Sequence, residues 1–254
     1  VTFRDFENPT RPTVGDFYRL NHRYQTLDFA RAKKAEFASL SRGRSGIWEV
    51  CERLNMLVDN SDPDTELSQL EHLLQTAEAA RRDSQPDWLV VTGLVHDLGK
   101  ILALWGEEQW AVVGDTFPLG CPFDKLIVSS EFFEDNADSG VERCQQRTGI
   151  YEAATGLRNV TMSWGHDEYM YMVAKPYLPR EALFVIRYHS FYAAHDKGAY
   201  DYLMDDGDRE LMNWVRLFRQ YDLYSKSNSP PDTVALKPYY TDLIKRFFPE
   251  TICW

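Results

Sequence analysis

The stretch Trp88-Leu89-Val90-Val91-Thr92-Gly93-Leu94-Val95-His96-Asp97-Leu98-Gly99-Lys100 decides how this chain folds. Residues 88–98 are apolar almost all round, so a helix built from them must be enclosed by other elements. Pro86-Asp87 suits its first turn and Gly99 suits its end. His96 and Asp97 fall inside the apolar run, where two polar side chains have to find partners.

The flanking sequence supplies that enclosure with helices. Phe17, Leu20, Tyr24 and Leu27 recur at helical spacing within 14–39, and Ile47, Cys51, Leu54 and Val58 do so after a break at Gly43-Arg44-Ser45-Gly46. Leu70, Leu74 and Ala77 share a face. Ser163 is placed to cap a helix carrying His166, Tyr169 and Val173. Pro179 opens another, with Ala182, Val185, Ile186 and His189 aligned, and 208–224 aligns Leu211, Trp214, Val215, Phe218 and Asp222. One or two short helices are expected in 231–254. Strand signals are sparse, and 114–162, rich in Gly, Pro, Asp and Asn, reads as long loops. The fold expected is all-α, one compact helical unit over 1–254 with long connecting loops.

Composition agrees. The chain has 254 residues, 44% hydrophobic and 26% charged, enough apolar content to offset the entropy of ordering. Its formal net charge of −11 repels phosphate backbones, so nucleic acid is not an expected partner. No apolar run approaches the roughly 20 residues that span a bilayer, so no membrane partner is expected either. Residues 1–5 lack the apolar core of a signal peptide. Cys51, Cys121, Cys144 and Cys253 form no Cys-x-x-Cys pair. Reduced thiols and a cytoplasmic location are the simplest expectation.

Polar residues on apolar faces carry the functional message. Asp222 shares a face with Phe218 and Val215, and His189 shares one with Val185 and Ile186. His96-Asp97 sits in the most apolar helix, whereas His72 stands apart, its i±4 neighbours being the polar Ser68 and Thr76. Singly, each has an ordinary explanation: a hydrogen-bonded core histidine, or for Asp222 a salt bridge to Arg219 or Lys226. Jointly they place several such residues on separate helices, all pointing inward. Imidazole with carboxylate suits zinc, manganese or iron. Adjacent His and Asp on one helix point about 100° apart. One can then serve a single ion while the carboxylate, with two oxygens, bridges two.

The order His72, His96-Asp97, Asp222 resembles the ligand order of the HD-domain superfamily. More specific are 94–100, 110–118, 162–171 and 187–192, with Phe218-Arg219-Gln220-Tyr221-Asp222-Leu223-Tyr224 and Leu236-Lys237-Pro238-Tyr239-Tyr240. These closely resemble the myo-inositol oxygenase family, and the resemblance runs from Phe3 to Trp254, weakest between about 121 and 158. It implies oxygen-dependent cleavage of myo-inositol to D-glucuronate and water by an oxidoreductase with two iron ions in the Fe(II)/Fe(III) state. It implies His72, His96, Asp97 and Asp222 on one iron, and Asp97 bridging to a second held by His166 and His189. It further implies Lys100 and Asp97 as catalytic. Arg4, Asp59, Asn60, Ser61, Lys100, Gly114, Asp115, His189 and Ser190 are implied as substrate contacts. Asn60 departs from the Glu of animal members. Myo-inositol and dioxygen are then the partners, the chain is expected as a monomer, and residues 1–45 are expected to cover part of the site. A metal-dependent phosphohydrolase of the HD type is the rival reading, since some carry the same six ligands; it calls for converging Arg or Lys, and only Lys100 stands out. His22 and His195 are left as ordinary residues.

Overall fold

The computed structural model describes residues 13–61, 68–224 and 231–254. Among them the elements are helices, with one two-stranded ribbon. The first half runs α1 (Val14–Tyr24), α2 (Leu27–Phe37), α3 (Ile47–Arg53), α4 (Gln69–Arg82), α5 (Asp87–Val95) and α6 (Ile101–Leu104). The second half runs α7 (His166–Ala174), α8 (Arg180–Tyr188), α9 (Tyr192–His195), α10 (Asp206–Tyr224) and α11 (Thr233–Lys245). None of these helices is long and apolar enough to cross a membrane.

The apolar stretch is the hub. In α5, every residue from Leu89 to Val95 is buried, and α4, α8, α10 and α11 pack on it. The α4–α5 contact is closest at Gly93, where a Cβ would lie 2.8 Å from Ala77 Cα. Helix α4 begins at Ser68 with a reciprocal capping box: the Ser68 hydroxyl accepts from Glu71 N–H and the Glu71 carboxylate accepts from Ser68 N–H. At the chain end, β1 (Arg44–Ser45) pairs antiparallel with β2 (Ile252–Cys253), Arg44 opposite Cys253 and Ser45 opposite Ile252. Trp254 is buried there, its indole N–H donating to Ser45 O.

Several expectations change in detail. Segment 14–39 is two helices, because Thr26 caps α2 by accepting from Phe29 N–H. The buried face of α1 is Phe17, Tyr18, Asn21 and His22, whereas Leu20 and Tyr24 are exposed. The polar pair is drawn inward by carbonyls: Asn21 Nδ2 donates to Trp110 O, and His22 Nε2 donates to Val128 O. Helix α3 stops at Arg53, so Val58 leaves the expected face and is exposed. Helix α5 ends at Val95, and His96 is its C-cap rather than an interior residue. Ser163 caps no helix; its hydroxyl accepts from Phe117 N–H, and Gly165 precedes α7. Residues 114–162 form the long connection expected, built of turns, short 3₁₀ segments and one bridge between Pro118 and Met162.

All four cysteines are free thiols. Replacing Gly93 with Ala should push α4 off α5, with about 1–3 kcal/mol lost to overpacking. Urea denaturation is expected to show a lower midpoint at unchanged slope.

Candidate metal centre

Five helices deliver polar side chains to one buried point. Helix α4 brings His72 from its first turns. The C-terminus of α5 brings His96 and the turn after it brings Asp97. Helix α7 begins with His166, α8 ends on His189 as its C-cap, and α10 carries Asp222 over the buried Phe218 and Val215. Gly99 makes the junction possible: a Cβ there would lie 2.1 Å from His166 O. Close approach, more than helix termination, explains this glycine.

The shared group is Asp97. Its Oδ2 lies 3.5 Å from His96 Nε2 and 3.7 Å from His72 Nε2. Its Oδ1 lies 3.2 Å from His166 Nε2 and 3.4 Å from His189 Nε2. Asp222 Oδ1 joins the first set, 3.0 Å from His72 Nε2 and 3.5 Å from His96 Nε2. Two groups able to hold a metal ion result, His72–His96–Asp97 and Asp97–His166–His189. Arg219, a rival partner for Asp222 by sequence, pairs with Asp196 at 2.8 Å instead.

The ring tautomers suit this purpose. His96 Nδ1 lies 2.9 Å from Gly93 O, His189 Nδ1 2.9 Å from Ile186 O, and His166 Nδ1 2.8 Å from Val112 O. A carbonyl only accepts, so Nδ1 carries the hydrogen in each and Nε2 offers a lone pair to the centre. His96 Nε2 is buried with no hydrogen-bond partner, an orphan acceptor that a cation would satisfy. The residues therefore fit a metal pair by donor type and by this unmet lone pair.

The charges are strongly coupled. Burial pushes the Asp97 carboxyl up, but Lys100 and the imidazoles outweigh it and hold it well below the usual range. Asp222 is held low in the same way by His72 and His96. Burial pushes His166 down, yet Asp167 and Asp97 raise it to about 10. Such a set draws in positive charge, as protons when no metal ion is bound.

Lys100 bridges the centre to the acidic loop. Its Nζ donates at 2.8 Å to both Asp97 Oδ2 and Asp59 Oδ2, and at 3.4 Å to Gln69 Oε1. Burial alone would lower the ammonium, but the two carboxylates raise it above its ordinary value. Asp59 also accepts from Ser61 N–H and Oγ–H. Asn60 enters through its backbone, N–H donating to Gln109 Oε1 at 3.0 Å. Gly114 lies beside Ser61, with a positive φ of 91° and the Phe17 ring filling the space of a Cβ. Asp115 accepts from Tyr18 O–H at 3.0 Å. Ser190 Oγ lies 3.3 Å from His166 Nε2. The expected residues thus gather in one region, except Arg4, which lies outside the described residues.

Sequence reading missed Asp167, Gln69, Tyr18 and His195. Asp167 follows His166 as Asp97 follows His96, a repeated His-Asp pair that was a usable signal. His195 is not a bystander, since its Nε2 donates to His189 O at 2.8 Å.

Fold and site together define an all-α protein with a two-part His/Asp centre suited to metal. Residues 11–254 match the family described as Myo-inositol oxygenase. Inositol oxygenase 1 of Arabidopsis thaliana is 51% identical, with 100% of this chain and 84% of that protein aligned. Inositol oxygenase of Dictyostelium discoideum is 46% identical over 99% of this chain and 89% of its own length. That of Bos taurus is 44% identical over 100% and 91%. The chain belongs to the myo-inositol oxygenase family, and it is an oxygenase, hence an oxidoreductase.

Lys100→Met should leave Asp59 and Asp97 without their shared cation. Breaking such a buried pair costs about 3–5 kcal/mol at pH 7. Both carboxyls have lowered pKa values, so the stability they contribute is present above the ordinary carboxylate range and lost as pH falls below it. The deficit of the variant is therefore expected to shrink toward pH 3, as read from urea midpoints across pH.

Proposed function

We propose that this chain converts myo-inositol and dioxygen to D-glucuronate and water at two iron ions in the Fe(II)/Fe(III) state. The observation that carries the reading is the division of Asp97, one oxygen facing each pair of histidines. One iron is assigned to His72, His96, Asp97 and Asp222, and the other to Asp97, His166 and His189. When bound, the metal pair supplies Lewis acidity toward the polyol hydroxyls and the electrons that engage dioxygen.

The protein groups have their own tasks. Lys100 holds a positive charge 2.8 Å from Asp97, where it offsets the negative charge of a deprotonated inositol hydroxyl. Asp59, Ser61, Asp115 and Ser190 supply neutral-polyol recognition through donors and acceptors, with Gly114 and Asn60 contributing backbone and Arg4 assigned from the N-terminal segment. His189 serves metal and substrate together. Tyr18 reaches Asp115, which supports a covering role for residues 1–45. Buried walls exclude water from competing reactions. We assign 1–254 to a single HD-domain-like unit. We assign it as a cytoplasmic monomer: both ligand sets come from one chain, and the four cysteines form no disulfide with one another.

A phosphohydrolase has less support. The cation that ion pairs place at the centre is Lys100, already matched by two carboxylates, whereas a phosphate calls for converging guanidinium groups.

The test is an assay of iron-loaded, partly reduced protein with myo-inositol under limiting oxygen. The expected result is oxygen uptake matched by glucuronate one to one. No uptake and no glucuronate would remove the proposed reaction.

A further inference from the structure

Asp167 is a buried carboxylate beside the centre that the mechanism above does not use. Asp167 is 1% exposed and follows His166 directly. Its neighbour Glu168 has an evident structural role, since Arg187 Nε donates to it at 2.6 Å and Lys34 pairs with it from α2. Asp167 has no such cation. Its partners are the second histidine pair and the serine beside them.

Four contacts describe its position. Asp167 Oδ1 lies 3.4 Å from His189 Nδ1, whose N–H is donated to Ile186 O at 2.9 Å. The same oxygen accepts from Ser190 Oγ–H at 3.2 Å, and Oδ2 accepts from Ser190 N–H at 3.3 Å. Oδ1 also lies 2.7 Å from His166 Nε2, the atom that faces the centre. Asp167 does not fall within the mutually close group of Asp97, His166 and His189.

We propose that Asp167 is the positioning residue of the second metal subsite, acting through His189 and Ser190. The inference rests on the two-metal reading. Ile186 O fixes the His189 ring, and a carboxylate charge close behind a ligating imidazole raises its basicity. The first subsite has two carboxylates, Asp97 and Asp222, for its two histidines. The second has only a share of Asp97, so the negative charge of Asp167 is the added attraction that lets it hold a cation of similar charge. Asp167 also takes the hydrogen of Ser190. The hydroxyl oxygen then presents lone pairs to the centre, and Ser190 meets a polyol as an acceptor.

Metal-free wild type, Asp167→Asn and Asp167→Glu would be titrated anaerobically with Fe(II), each binding step followed separately. The mixed-valent EPR signal would then be recorded. Asparagine keeps the size but loses the charge; glutamate keeps the charge but moves the oxygens by one methylene. The expected result for Asp167→Asn is a second-site affinity about 10–100-fold weaker with the first site unchanged. The EPR signal of the coupled pair should diminish in step, and the KM for myo-inositol should rise through the reversed Ser190 hydroxyl. Asp167→Glu is expected to recover part of the second-site affinity. If the asparagine variant does not fold, glutamate alone is read by the same criterion, a loss confined to the second site. Two sites of wild-type affinity, or equal weakening of both, overturn the proposal. Wild type that binds a single iron overturns the two-metal reading itself, which separates the two failures.

Discussion

One carboxylate with two differently occupied oxygens is the constraint on which the rest of this structure depends. An ionised Asp97 in the protein interior is stable only against compensating charge and hydrogen bonds. Lys100 supplies one cation. Four imidazoles face it, three of them with lone pairs aimed by Nδ1–H bonds to carbonyls, a donor set suited to metal. To bring those groups to both sides of one carboxyl, the chain must end α5 at Val95, abut the next turn on α7 through Gly99, and lay α10 across the top. The glycine contact, the early helix stop and the buried carboxylate on α10 are consequences of that single requirement.

Helix ends also orient the histidines. The last four carbonyls of an α-helix lack intrahelical partners. His96 and His189 both occupy C-cap positions and both donate Nδ1–H to the carbonyl three residues earlier, Gly93 O and Ile186 O. Each helix end is satisfied and each ring is fixed by one hydrogen bond. His166 stands at a helix start, where no such carbonyl is available. The long connection supplies one instead: Val112 O accepts from both His166 N–H and Nδ1–H. The segment from 106 to 165 therefore contributes to the centre as an orienting strap, as well as through Gly114 and Asp115.

Much of the centre was legible because apolar periodicity exposes polar intruders. His96, Asp97, His189 and Asp222 each interrupt or share an apolar face, and the structure brings all of them to one point with His72 and His166, which the family resemblance supplied. The helical class followed from the same periodicity. Less legible were features made by contacts distant in sequence. The inward turn of Asn21 and His22 depends on carbonyls of Trp110 and Val128, which no local pattern encodes. The split at Thr26 hangs on one side-chain cap within an otherwise continuous helical pattern. Val58 looked like a core residue until α3 ended at Arg53. Asp167 was hidden because an acidic residue in a first helical turn has an ordinary reason to be there.

The central claim is that Asp97 couples two irons, and EPR of the mixed-valent state tests it most directly. Wild type is expected to give the signal of a spin-coupled Fe(II)/Fe(III) pair, and Asp97→Asn, otherwise folded, is expected to lose it. An unchanged coupled signal in that variant would contradict the account.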